Sequence, residues 1–308
     1  MPKLLPARPR YAREHANYTW LIFFCFAALF TVRILAMAFP LFFSSALVSL
    51  ALQVALLLLP ALLFMRMRGR GYGKAIRLRP PFATYIPLLI CAFFLLLTGG
   101  FLLSALFGGT HTIGNSSSSF ESGAPNGVLQ TLIAIPVLAI LPAITEELLF
   151  RGIICTELDR RGILRAILVG ALLFALIHFD LANLPVYFYA GVVLTLVLYV
   201  TDSLIATMII HALYNVVSLF GQRYLNAFYS FTGNPELFLF LLILIFLISL
   251  LFFTLLCAKH YRTRAELNIR APRRDIPGAV QFYTMLDILS EPAILLCFAI
   301  SVIGFILL

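Results

Sequence analysis

The sequence is poor in charged residues and has no long polar stretch. Only 11% of its 308 residues are charged and 62% are hydrophobic, whereas about a quarter of the residues in soluble domains are charged. Several apolar stretches exceed the roughly 20 residues that a helix needs to cross a bilayer. We interpret them as helices, because open strands would leave backbone groups unpaired in lipid. The composition therefore predicts an all-α, polytopic transmembrane helix bundle and excludes a soluble domain.

The sequence also lacks the cysteine patterns of small stapled or metal-bound domains. Its five cysteines include no CxxC pair, and most lie in or beside apolar runs, as small buried hydrophobic residues do. No glycine-rich phosphate loop and no repeat of fixed period is present. These absences argue against a disulfide framework and against a zinc finger.

Nine apolar runs divide the chain, so we predict about nine spans, with eight as the alternative. They lie near residues 18–39, 42–64, 84–107, 128–153, 165–180, 186–201, 203–220, 236–257 and 290–308. We expect a three-span region at 1–127, a core at 128–220 and a two-span extension at 221–308. The first run is interpreted as an uncleaved span, with a signal peptide as the less favoured alternative.

The net charge of +9 comes from loops. Lys and Arg residues gather in alternate loops, at 3–13, 66–79, 160–165 and 259–274, whereas the loops between them hold only Arg223. The positive-inside pattern predicts a cytoplasmic N-terminus and, with nine spans, an external C-terminus. The expected partners of these charges are anionic lipid headgroups, not nucleic acid. We further expect a flexible external loop at 108–126 and an interfacial amphipathic helix at 279–290.

Polar residues inside the runs are few and lie in three of them. The fourth run contains Glu146, Glu147 and Arg151, the fifth contains Phe174 and His178, and the seventh contains His211 and Asn215. Ionisable groups in membrane helices are costly and by default mark function. A lone polar residue that joins two helices is a common alternative. Two Glu, two His, one Arg and one Asn on three nearby runs favour a shared functional site.

Helix geometry predicts different partners for the two glutamates. Glu147 and Arg151 are four residues apart, so they can form an ion pair along one helix face. The Glu146 side chain points about 100° away and can face another helix. Gly162 lies midway between Glu146 and His178, so a chain reversal there would place these two side chains at equal depth.

Three kinds of chemistry can use these groups. Glu146 and His178 can hold and deprotonate a water, while His211 and Asn215, on one helix face, can stabilise the resulting oxyanion. The motifs contain no obvious serine or cysteine nucleophile. Glu146, His178 and His211 can instead bind zinc and leave one position for water. A proton relay in a transporter is the third alternative.

The three motifs resemble those of the CAAX protease and bacteriocin-processing (CPBP) family, which includes the type II CAAX prenyl endopeptidases. The family pattern EExxxR, FxxxH and HxxxN matches at Glu146-Glu147-xxx-Arg151, Phe174-xxx-His178 and His211-xxx-Asn215. The resemblance implies a glutamate-type intramembrane endopeptidase in which Glu146 and His178 activate water and His211 and Asn215 stabilise the oxyanion. Glu147, Arg151 and Phe174 would support them.

The resemblance also implies partners and a location. We expect a peptide or membrane-protein substrate, no nucleic acid and an integral position in a bacterial plasma membrane. No cofactor is expected, although family members have often been called metalloproteases and zinc stays an alternative. The rival functions are a non-catalytic membrane regulator, a bacteriocin-immunity partner and a proton-coupled transporter.

Overall fold

The computed structural model describes residues 11–43, 48, 51–52, 54–69, 72–107, 132, 134–220, 228–266 and 277–308. Within these ranges every regular element is helical and none is a strand. The predicted all-α, polytopic bundle is confirmed. The predicted flexible loop at 108–126 lies outside the described residues.

The N-terminal region contains three longer helices, which we label α1 (Tyr11–Ala38), α2 (Leu59–Arg68) and α3 (Ile86–Phe107). A π-helical segment, Val54–Leu58, leads directly into α2. Three short turns connect these elements, namely Pro40–Phe43, Tyr72–Ala75 and the 3₁₀ turn Ala83–Tyr85.

The fourth apolar run folds as one continuous helical stretch at 135–158, which we call the glutamate helix. It alternates between π-helical and α-helical winding, in the order Ile135–Ile140 (π), α4 (Leu141–Glu147), Leu148–Ile154 (π) and α5 (Cys155–Leu158). Pro136 and Pro142 each remove a backbone donor from this stretch. Short π segments inside helices occur frequently at functional sites.

The rest of the chain adds six helices. These are α6 (Ile163–Leu176), α7 (Leu184–Thr201), α8 (Leu204–Phe220), α9 (Pro235–Glu266), α10 (Gly278–Leu289) and α11 (Pro292–Leu307). The reversal predicted at Gly162 is present, since this glycine has a φ of 131° and separates the 3₁₀ turn Asp159–Arg161 from α6. Only glycine adopts such a backbone conformation readily.

Four helices are long and apolar enough to cross a membrane, namely α1, α3, α7 and α9, and the pair α10 and α11, bent by 68°, can count as a fifth. The spanning stretch of α7 is 61% buried, against 11% in α9. Thus α7 lies inside the bundle and α9 on its outside. Helices α6 and α8 are apolar but shorter, and most of α6 is buried. The count of nine spans stays a prediction.

One end of the bundle is held together by charged side chains. Arg77 donates to Asp159 at 2.6 Å and pairs with Asp202 at 2.9 Å, so it joins the basic loop to two turns of the core. Tyr72 donates its hydroxyl to buried Glu157 at 2.9 Å. Burial and the Glu157 carboxylate raise the pKa of Tyr72, so this donor keeps its proton at any physiological pH.

Further contacts bring α9 and α10 to the same end. The ring of Tyr85, at the start of α3, lies 4.6 Å from the ring of His260 near the end of α9. The backbone N–H of Leu164 donates to the Gln281 side chain at 3.2 Å, which places α10 against the start of α6. The helix expected at 279–290 is therefore present as α10, and its position at the membrane interface stays a prediction.

Candidate active site

Glu147 is the anchor of the site. Its side chain is fully buried, and its Oε1 accepts from Arg151 Nη1 at 2.7 Å, which is the ion pair that the four-residue spacing predicts. The same oxygen lies 2.8 Å from His211 Nδ1, a contact between residues 64 positions apart in the chain. Glu147 therefore neutralises Arg151 and also orients the His211 ring.

Phe174 packs the buried guanidinium of Arg151. Arg151 Cζ lies 4.2 Å from the centroid of the Phe174 ring, a distance at which a cation is attracted to the ring face. Arg151 Nη2 also donates to the Gly191 carbonyl oxygen on α7 at 3.4 Å. The Phe174 ring lies edge-on to His178 at 5.0 Å and to His211 at 5.9 Å between centroids. One aromatic ring thus contacts the Arg151 guanidinium and both histidines.

Glu146 lies near both histidines. Its Oε2 lies 4.0 Å from His178 Nε2 and 3.8 Å from His211 Nε2. These distances exceed those of direct hydrogen bonds and suit a bridging water. The structure therefore brings together Glu146 of α4, His178 just beyond α6 and His211 of α8.

His178 lies in a turn just beyond α6, which ends at Leu176, two residues earlier than the histidine. Phe179 follows with a φ of 52°, so the chain leaves the helical path there. His178 Nδ1 is 2.7 Å from the Phe174 carbonyl oxygen. Since that oxygen can only accept, Nδ1 carries the proton and Nε2 of the neutral ring is an acceptor aimed toward Glu146.

Tyr187 is a site residue that the sequence motifs do not include. Its ring stacks on His178 with centroids 3.8 Å apart and planes inclined by 12°. A tyrosine in an apolar run is ordinary in a membrane helix, so no local pattern marks it. The stack on one face, together with the Nδ1 hydrogen bond, restricts the orientation of the His178 imidazole.

Asn215 lies one turn after His211 on α8, as the spacing predicts. Its Nδ2 donates to the Ala139 carbonyl oxygen in the first π segment of the glutamate helix at 3.2 Å. One amide N–H is thereby engaged, and the second is available to another acceptor.

A cavity of about 420 Å³ joins these groups, and Glu146, His178, His211 and Asn215 all line it. The N-terminal region also forms part of its wall. The lining residues there are Leu29, Val32 and Arg33 of α1, Leu57 of the π segment before α2, Leu96 of α3, and Leu52. The site therefore extends beyond the segment that carries the motifs.

The zinc alternative requires three ligands around one point. Within the described ranges no group of three or more His, Cys, Asp or Glu residues is arranged to hold a metal ion. Tetrahedral ligands about 2.0–2.2 Å from zinc would be roughly 3.3–3.6 Å apart, whereas the separations from Glu146 are 3.8 and 4.0 Å. Glu146 therefore lies farther from both histidines than two zinc ligands would lie from each other, and the expected absence of a cofactor stays a prediction.

Residues 128–217 match the family described as type II CAAX prenyl endopeptidase Rce1-like. This segment contains all three motifs and the residues discussed above from Ala139 to Asn215, so the resemblance that the motifs predict is confirmed for it. The family is one of proteases. No curated protein and no solved structure matches the chain.

Proposed function

We propose that this integral membrane protein is an endopeptidase that hydrolyses a peptide bond inside the bilayer, using a water activated by Glu146 and His178. The observation that carries the proposal is the separation of 4.0 Å between Glu146 Oε2 and His178 Nε2, within a cavity of the family-matched segment. Both atoms are acceptors that a single water can reach. No metal takes part in the proposed reaction.

The water donates one hydrogen bond to the Glu146 carboxylate and a second to Nε2 of His178. As its oxygen attacks the carbonyl carbon of the substrate, a proton moves to the Glu146 carboxylate. The carbonyl oxygen then becomes an oxyanion. When the C–N bond breaks, Glu146 returns the proton to the leaving amine, so the enzyme is regenerated.

The oxyanion is stabilised by donors on α8. Asn215 offers the amide N–H that Ala139 does not use, and His211 donates from Nε2 when that nitrogen carries a proton. Glu147 supports this role, because it holds the His211 Nδ1–H and fixes the direction of Nε2. Removal of one oxyanion donor typically lowers kcat by about 100- to 1,000-fold, so His211→Ala and Asn215→Ala should fall in that range.

The central experiment compares peptides released from cells or membranes that contain wild-type protein or Glu146→Gln. We expect the specific products to disappear in Glu146→Gln and in His178→Ala, because each variant loses one of the two groups that hold the water. Glu236→Gln on the exposed start of α9 is the matched control and should release the wild-type products.

Insertion and folded amount are measured for each variant by membrane fractionation and thermal unfolding in detergent. If Glu146→Gln is folded and releases the same products as wild type, the protease assignment is wrong. A non-catalytic regulator or immunity partner then becomes the better interpretation.

A further inference from the structure

Arg33 is a cation in the cavity wall that the proposed reaction does not use. It lies in the spanning stretch Tyr18–Ala38 of α1 and lines the same cavity as His178 and Tyr187. A cation within a membrane span is costly and by default marks function.

The Arg33 guanidinium has no hydrogen-bond or ion-pair partner among the residues that the structure describes. By contrast Arg151, the other arginine inside an apolar run, has Glu147, the Gly191 carbonyl and the Phe174 ring. Arg33 lines the cavity and is exposed, so its N–H donors are accessible to a ligand that enters there.

The position of Arg33 on α1 directs it toward the site. Leu29, Val32 and Arg33 all line the cavity, and residues separated by three or four positions share one helix face. Arg33 thus belongs to the stripe of α1 that faces the catalytic groups. The family-matched segment begins only at residue 128, so this contribution comes from outside it.

We propose that Arg33 binds a carboxylate of the peptide substrate and holds it beside His178 and Tyr187. This inference rests on the proposed function, since it names a feature of the peptide that the site would cleave. A guanidinium matches a carboxylate in a bidentate pair. An unmodified peptide carries carboxylates at two places only, its C-terminus and its Asp or Glu side chains.

The competing role for Arg33 is attachment to lipid headgroups. Arg33 is five residues from the end of α1 at Ala38, about 7–8 Å along the helix, and arginine side chains near helix ends can extend to the interface. If Arg33 only binds lipid headgroups, its replacement should change the cleavage of all peptides equally. If it binds a carboxylate, the change should depend on the charge of the peptide.

The test uses full-length protein in detergent and three pools of short synthetic peptides. One pool has a free C-terminus and no Asp or Glu, the second is C-terminally amidated and contains one Asp or Glu, and the third is amidated and uncharged. Cleavage is measured for wild type, Arg33→Gln and Arg33→Lys. Arg262→Gln on the exposed end of α9 is the matched control.

We expect wild type to prefer the first or the second pool, which identifies the source of the carboxylate. Arg33→Gln should raise KM for that pool at least about 10-fold, since hydrogen bonds to charged groups are among the strong ones, and should leave the uncharged pool unchanged. The KM of Arg33→Lys for that pool should lie between those of wild type and Arg33→Gln, because lysine keeps the charge but lacks the planar guanidinium. Equal effects on all pools, or no effect, would overturn the proposal.

A binding measurement separates this inference from the proposed function. The pools are bound to Glu146→Gln and to the double variant Glu146→Gln/Arg33→Gln. If wild type cleaves no pool, yet Glu146→Gln binds a carboxylate pool better than the double variant, the protease proposal fails and the role of Arg33 stands. Equal binding by the two variants overturns the role of Arg33, whatever the cleavage result.

Discussion

Glu146 and Glu147 are neighbours in sequence but have different surroundings. The Glu147 side chain is fully buried and bonded to Arg151 and His211, whereas that of Glu146 is 17% exposed and faces the cavity. A carboxylate with two short hydrogen-bond partners is held in place, and one at about 4 Å from its neighbours can reach a water. The environment therefore gives Glu147 a positioning role and leaves Glu146 to touch the reacting atoms.

Replacement of Tyr187 tests whether the stack on His178 positions the imidazole. Tyr187→Phe keeps the ring and should retain near-normal activity, whereas Tyr187→Ala should lower kcat about 2- to 10-fold if the stack contributes the 0.5–1.5 kcal/mol typical of aromatic pairs. The pH dependence of kcat should shift in Tyr187→Ala and not in the exposed control Tyr229→Ala. An unchanged pH profile in Tyr187→Ala would mean that the tyrosine only fills space.

Removal of metal tests the water mechanism at the same site. Purified protein treated with a strong chelator should keep its activity on a cleavable peptide, because Glu146 and His178 activate the water without a Lewis acid. Activity that disappears and returns on addition of zinc, with about one metal per chain by elemental analysis, would contradict this. His211 would then become a ligand with Glu146 and His178.

At the scale of elements, the glutamate helix, α6 and α7 are joined through Arg151. Its guanidinium reaches Glu147 in its own helix, the Phe174 ring on α6 and the Gly191 carbonyl on α7. Gly191 itself lies against α6, since a Cβ added there would be 2.7 Å from the Ala171 Cα. The close approach of α6 and α7 therefore depends on small residues, as is common in membrane bundles.

Arg151→Ala should reduce folded protein more than it changes the chemistry. It leaves Glu147 without its guanidinium partner, and breaking a buried ion pair from one side costs about 3–5 kcal/mol. Arg160→Ala is the control, because Arg160 is 39% exposed and its pair with Glu157 is long, at 3.4 Å. The readout is thermal unfolding in detergent. A stable but inactive Arg151→Ala protein would place Arg151 in the reaction itself.

At the scale of the whole molecule, several turns and helix ends meet at one end of the bundle. Arg77, Tyr85 and Gln281 make the contacts there. These contacts involve the turns that follow α2, α5 and α7, and the end of α9. Three of these regions contain described residues of the basic stretches at 66–79, 160–165 and 259–274. Their presence at one end agrees with the alternation of charge along the chain. We propose that this end is cytoplasmic.

Single-cysteine labelling tests that orientation. In a variant without its five native cysteines, Arg66→Cys and Arg262→Cys should react with a membrane-impermeant reagent only after the cells are opened. Ser117→Cys, in the predicted external loop, should react in intact cells and serves as the control. Labelling of either basic stretch from outside would reverse the topology.

The sequence by itself determined the helical membrane class, the three motifs and the Glu147–Arg151 pair, because these depend on composition and on spacing within one helix. It also located the reversal at Gly162, since glycine there follows two arginines between apolar runs. Tertiary packing alone decided that His211 joins Glu147, that Tyr187 stacks on His178 and that Arg33 lines the cavity. These contacts join residues on different helices, and the periodicity of one helix does not encode which neighbour its polar face will meet.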